Sequence, residues 1–198
     1  MWPWEHAVIG YLAFSVGVHL LARRSPTGPE AIVVVFASVL PDLIDKPLAW
    51  EFGVFASGYG VAHSVFFAVP LAALAVAIGT ARERFGEAAA FAVGYLLHLP
   101  ADLAPAYVSR GHVPFERVLW PLQSGETDYP GGFSGTFAEY FAGYVAELTS
   151  SDPSGFVVLT WVLIAGCAAL WVYDGLPGLR EPAAYLYAVV RRPSSDGR

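Results

Sequence analysis

The sequence predicts an all-α membrane protein: a bundle of about five transmembrane helices with a long extracytoplasmic excursion that carries an amphipathic helix. Three observations predict it. Apolar residues make up 56% of the chain and charged residues only 14%, against roughly 25% charged in a soluble domain, and the mean hydropathy is +0.51. Five apolar segments stand apart, at 7–22, 30–40, 63–80, 88–103 and 156–173. Basic residues follow the first, third and fifth of them. At 198 residues the chain suits one helical membrane domain over 1–192, with 193–198 reading as a disordered tail.

The first segment lacks the basic flank of a cleaved signal peptide and is expected to stay in the mature protein. The second is short and meets Pro41, which is expected to stop or kink it, unless it continues through Ile44 with a break. The third and fifth are long enough to cross a bilayer, which takes about 17–25 residues. The fourth ends in His98-Leu99-Pro100-Ala101-Asp102. The excursion from Ala104 to Gly155 holds a helix predicted over Thr136–Leu148. Phe137, Phe141, Tyr144 and Leu148 recur there at helical spacing, an apolar stripe fit to rest on a bilayer or to cover a site. A second interfacial segment is predicted over Pro182–Arg192.

Charge sets the orientation. Arg23, Arg24, Arg82, Arg84, Arg180, Arg191, Arg192 and Arg198 fall on one side, leaving only Lys46, Arg110 and Arg117 of the eleven basic residues on the other. The positive-inside rule then gives a multi-pass protein of the plasma membrane with its N-terminus outside and its C-terminus in the cytoplasm. The lone Cys167 excludes an intrachain disulfide and a cysteine-based zinc site. The net charge of −6 argues against nucleic acid as a partner. The expected partners are the bilayer and a small-molecule or lipid substrate.

With that orientation, His6, Asp42, Asp45, His63, His98 and Asp102 all fall at the outer face, although they are spread over nearly a hundred residues. Acids at the end of an apolar run are costly to bury unless a cation compensates them, and Lys46 is the only basic residue nearby. A divalent metal is the other candidate. His98 and Asp102, four apart, share one helix face, as do Asp42 and Asp45 if their turn is helical. Two histidines fit this set less well. His19 lies thirteen residues from His6, about 20 Å along a helix, and reads as a packed, hydrogen-bonded residue. His112 reads as a solvated residue of the excursion that is able to complete a site.

The order of these pieces is a His near the N-terminus, then Pro41-Asp42-Leu43-Ile44-Asp45, Ala62-His63-Ser64, His98 to Asp102, and Trp120-Pro121. It resembles the YdjM/YbcI-type family of membrane-bound metal-dependent hydrolases, itself considered distantly similar to zinc-dependent phospholipase C and P1-type nucleases. The resemblance covers roughly the first 125 residues and implies metal ligands at His6, Asp42, Asp45, His63, His98 and Asp102. It departs from the family in having two residues between the acids. It also has no basic residue just before His63. The implied function is hydrolysis of a phosphate ester, a phospholipid headgroup among the candidates, with one or two Zn2+ ions activating water and Asp45 or Asp42 acting as bridging ligand or general base. The rival reading is a non-enzymatic multi-pass protein whose His/Asp cluster clamps its helices through a structural metal or polar contacts.

Overall fold

The computed structural model describes residues 1–127, 129 and 131–181, and among them all regular secondary structure is helical, without a strand. The elements are α1 (Pro3–Ala22), α2 (Gly28–Trp50), α3 (Val65–Ala81), α4 (Phe85–Arg110), a 3₁₀ turn (Phe115–Arg117), α5 (Gly132–Leu148) and α6 (Gly155–Tyr173). Local chemistry starts the helices. Pro3 opens α1, where its missing N–H is no loss. Thr27 and Glu30 form a reciprocal capping box at the head of α2. Ser64 and Ser154 accept the first free N–H groups of α3 and α6.

Helix α2 runs through Pro41 and Pro47 without ending, so the expected stop at Pro41 does not occur. A proline removes one intrahelical hydrogen bond, and here packing of α2 against α1 and α4 sustains the helix. Three small residues let these helices approach. Gly10 faces Ser38 and Gly94, and a Cβ on Gly94 would stand 2.5 Å from the carbonyl oxygen of Val34. Around this crossing Tyr11, Phe14, Ala31, Val34 and Ala90 form one buried cluster. Ala37, Ala68, Tyr95, Leu99 and Val118 form a second, next to the site.

Helices α2 and α4 run parallel, with Glu30 beside Gly86 at their N-terminal ends, and α1 and α3 run the other way. One end of the bundle therefore gathers Arg23, Arg24, Arg82 and Arg84. There the Arg24 guanidinium pairs with Glu30 at 2.5 and 2.7 Å. At the same end Asp174, just past α6, accepts hydrogen bonds from Tyr11 (2.7 Å) and Ser15 (2.6 Å) and contacts His19 Nε2 at 2.6 Å. Burial opposes its ionisation, yet the bonds from Ser15, Tyr11 and His19 outweigh that and hold its carboxyl below the usual range. The other end gathers His6, Asp42, His63, His98 and Asp102.

Two helices, α1 and α6, are long and apolar enough to cross a membrane, and α3 is a shorter apolar helix. This is fewer than the five spans expected. The difference has a physical cause: α2 and α4 carry the acids, histidines and prolines of the site, which lower their hydropathy while being buried inside the bundle. The outer faces are apolar: Leu20, Leu21, Ile32, Phe36, Leu74 and Val162 are all exposed. Helix α5 begins a turn earlier than expected. The expected interfacial segment at Pro182–Arg192 and the tail at 193–198 lie outside the described residues.

Candidate metal centre

Four atoms from three parts of the chain converge. Asp42 comes from α2, His98 and Asp102 from α4, and His63 from the loop that leads into α3, all four buried with ligand atoms within 4.8 Å of one another. His63 Nε2 lies 3.0 Å from His98 Nε2, 3.3 Å from Asp42 Oδ1 and 3.4 Å from Asp102 Oδ2. His98 Nε2 lies 3.7 Å from Asp42 Oδ1 and 3.4 Å from Asp102 Oδ2. Ligands about 2.1 Å from a tetrahedral ion stand about 3.4 Å apart, so these separations fit a single divalent cation.

The tautomers strengthen the fit. His63 Nδ1 is 2.8 Å from Asp45 Oδ2, and His98 Nδ1 is 2.7 Å from the carbonyl oxygen of Ser38. Both partners are acceptors, so each Nδ1 donates its proton outward and each Nε2 keeps a lone pair directed at the centre. Asp42 Oδ2 and Asp102 Oδ2 are buried without a hydrogen-bond donor, while the Lys46 ammonium lies 2.7 Å from Asp42 Oδ1 and the Met1 ammonium donates to Asp102 Oδ1 at 3.0 Å. Lone pairs and carboxylates facing one another at this distance need a cation between them.

Asp45 stands outside the four-atom group. Its Oδ2 accepts the N–H of Gly60 (2.8 Å) and of His63 (2.9 Å) as well as the imidazole of His63, and its Oδ1 accepts the N–H of Ala62 (3.1 Å). The stretch from Gly60 to His63 is thus a backbone nest wrapped round this carboxylate. Tyr95 pins the same loop by donating to the Ala62 carbonyl at 2.8 Å. Ser64 Oγ donates to the Trp120 carbonyl at 2.5 Å, which ties the Trp-Pro pair to the head of α3.

His6 joins from α1. Its ring stacks on His98 at 3.8 Å, and its Nε2 is 3.2 Å from Asp102 Oδ1, although neither ring nitrogen makes a well-angled hydrogen bond. Asp102 thus presents one oxygen to His63 and His98 and the other to His6 and to the Met1 ammonium, which donates to it at 3.0 Å. Of the remaining histidines, His19 belongs to the Asp174 cluster at the opposite end, and His112 is exposed.

A cavity of about 450 Å³ opens beside the centre, lined among others by Glu5, Lys46, Trp50, Tyr59, Arg117 and Tyr144. Lys46 Nζ is 2.7 Å from Asp42 Oδ1, and Arg117 donates to the main-chain oxygen of Asp102 at 2.8 Å. The Tyr59 ring packs edge-on against His63 at 5.0 Å, and burial pushes its phenol pKa up, leaving it a neutral donor. Helix α5 covers the cavity. Trp2 packs on Phe137, Phe141 and Tyr144 at 5.3–5.6 Å, and Trp4 Nε1 donates to Tyr144 Oη at 3.1 Å. Sequence reasoning singled out the ligands but missed Glu5, Trp50, Tyr59 and Arg117 as cavity residues. For Glu5 the signal was there, since it precedes His6 in the first turn of α1. Arg117 reaches the site only through the fold of the 3₁₀ turn.

The model of one protein family, described as YdjM inner membrane protein, matches residues 1–177. The chain belongs to the YdjM inner membrane protein family. That match contains every residue of the His/Asp cluster and of the cavity, and it extends the resemblance beyond the first 125 residues, through α5 and α6. Searches of curated proteins and of solved structures returned no match.

Proposed function

We propose that this YdjM-family protein is a membrane-bound, metal-dependent hydrolase of phosphate esters. The observation that carries the reading is the convergence of two outward-tautomerised histidines and the donor-free Oδ2 atoms of Asp42 and Asp102 beside a cavity. His63, His98, Asp42 and Asp102 would hold one divalent ion, for which zinc suits the nitrogen and oxygen donors. A metal bound there would supply a more acidic water and polarise a phosphoryl oxygen.

The chain's own residues do the rest. Asp45 orients His63 and keeps its Nε2 basic; the four hydrogen bonds it accepts leave it little capacity to act as a base. Asp42 Oδ2, buried and without a donor, is the acceptor for the proton of the attacking water. Helix α5 and the Trp2 cluster keep bulk water from the cavity.

The site end faces outward in this reading, because the opposite end carries the arginines. Helix α2 has 23 residues and α4 has 26, about 35 and 39 Å at 1.5 Å per residue. Both are therefore long enough to lie across the bilayer within the bundle with their polar residues inward. A reporter inserted near Gly131 should be external; a cytoplasmic signal would reverse the orientation.

The test of function is metal content of the purified protein, followed by hydrolysis of a chromogenic phosphodiester with and without chelator. Turnover that disappears on chelation and returns with added metal supports the reading. Bound metal with no hydrolysis of any phosphate ester would instead assign the cluster to clamping α2, α4 and the His63 loop.

A further inference from the structure

Two basic residues, Lys46 and Arg117, line the same cavity from different elements, α2 and the 3₁₀ turn. Each touches the scaffold of the centre: Lys46 through Asp42 Oδ1 at 2.7 Å, Arg117 through the Asp102 carbonyl at 2.8 Å. Each keeps donors in reserve. An ammonium has three N–H groups and a guanidinium five, and these contacts use one apiece. The Arg117 guanidinium lies 5.1 Å over the Tyr59 ring, which fixes its plane and leaves its other edge free for a planar pair of oxygens.

Charge balance says what belongs there. Asp42, Asp45 and Asp102 together offset a divalent ion and the Met1 ammonium, which donates to Asp102 Oδ1 at 3.0 Å, and this leaves Lys46 and Arg117 as surplus cations next to them. Two acids share the wall, but Glu147 accepts from Ser154 at 2.6 Å and Glu5 from the N–H of Trp2 at 2.7 Å, and no ion pair joins either of them to Lys46 or Arg117 among the described residues. Two cations held near a metal cation repel each other unless an anion joins them.

We propose that Lys46 and Arg117 form an oxyanion subsite that grips the non-reacting phosphoryl oxygens of the substrate, so that the cavity selects anionic esters. This deepens the hydrolase reading and rests on it. It also places a phosphate-binding pair at positions distant in sequence from the stretch before His63, where no basic residue stands.

The experiment is calorimetric titration of inorganic phosphate into detergent-purified, metal-loaded protein, with metal content measured in every sample. Wild type should bind phosphate. Arg117→Gln and Lys46→Gln should each bind it at least about tenfold more weakly, the loss expected of one charge-assisted bond. Arg117→Lys should fall between Arg117→Gln and wild type. Arg117→Gln should keep its metal, since that side chain touches no proposed ligand atom, so its result stands even if Lys46→Gln disturbs Asp42. Competition by glycerol 1-phosphate and by short-chain phosphatidylglycerol separates the sources: displacement by both assigns free phosphate esters, and displacement by the lipid alone assigns a lipid headgroup. Metal-replete wild type that binds no phosphate, or Arg117→Gln that binds it as tightly as wild type, would overturn the subsite. A protein that binds phosphate through Arg117 but takes up no metal would leave the subsite standing and overturn the hydrolase reading.

Discussion

His63 and His98 present their Nε2 atoms to each other at 3.0 Å, while each Nδ1 is committed to an acceptor on the far side of its ring. Two neutral imidazoles arranged in this way have lone pair against lone pair. The surrounding oxygens of Asp42 and Asp102 bring no proton to relieve the contact. A pair so arranged is stable with a cation between the nitrogens, and the outer acceptors, Asp45 and Ser38 O, are what set it.

Asp45 is accordingly a positioning residue. Asp45→Asn turns one acceptor oxygen into a donor facing the N–H groups of the 60–63 loop. It should lower metal affinity about 10–100-fold, the usual cost of losing an orienting partner, with the helical content retained by circular dichroism. Undiminished affinity would remove Asp45 from the support of His63.

Asp42→Asn separates the two roles given to Asp42. The amide oxygen can still face the metal, but the side chain no longer accepts a proton. Turnover should fall by about 10²–10⁴-fold, the range of general-base catalysis, with a smaller loss of metal affinity. Equal losses in both would mean that Asp42 is a ligand and no base.

The Asp174 cluster predicts a pH-dependent term in stability. Its carboxyl is held below the ordinary value, so its contribution is complete above about pH 4, the unfolded value, and is lost as pH falls through the lower folded value. Asp174→Asn should lower the melting temperature in detergent at pH 7. The gap from wild type should narrow at acidic pH. A gap that is constant with pH would contradict the assignment. Tyr11→Phe, which removes one bond to this carboxylate, should cost about 1.5–3 kcal/mol.

Helix α5 is held over the cavity by aromatic contacts to Trp2 and Trp4 and by one backbone bond, Phe133 N–H to Glu51 at 2.9 Å. Trp2→Ala should speed hydrogen exchange in 132–148 while leaving α2 and α4 protected. Unchanged exchange in α5 would show that other contacts hold the cover.

The sequence made the ligand ends of the helices legible because hydropathy and charge locate each acid and histidine relative to one face of the bundle. His98 and Asp102 could be paired from their spacing alone, and His19 could be set apart by its distance along α1. The division of labour between Asp42 and Asp45 was not legible. It depends on the loop at 60–63 folding its N–H groups onto Asp45, and no local pattern announces that a backbone nest will close on one acid rather than another. Helices α2 and α4 fall short of the hydropathy of a membrane span for a related reason: hydropathy averages over a helix, while these two segregate polar residues inward. Arg117 could not be placed from sequence, since it reaches Asp102 only after the chain has left α4 and turned back.

The central claim is that Asp42, His63, His98 and Asp102 hold one metal ion. The direct measurement is metal-to-protein stoichiometry by mass spectrometry, paired with melting temperature in detergent, for wild type and His98→Gln after stripping and reloading with Zn2+. At a free metal concentration of about 100 times Kd, binding should stabilise wild type by about 2.7 kcal/mol, a rise of about 5–10 °C for a chain of this size. His98→Gln should show neither stoichiometric metal nor the rise. Wild type that retains less than one ion per chain and melts at the same temperature with and without metal would contradict the account.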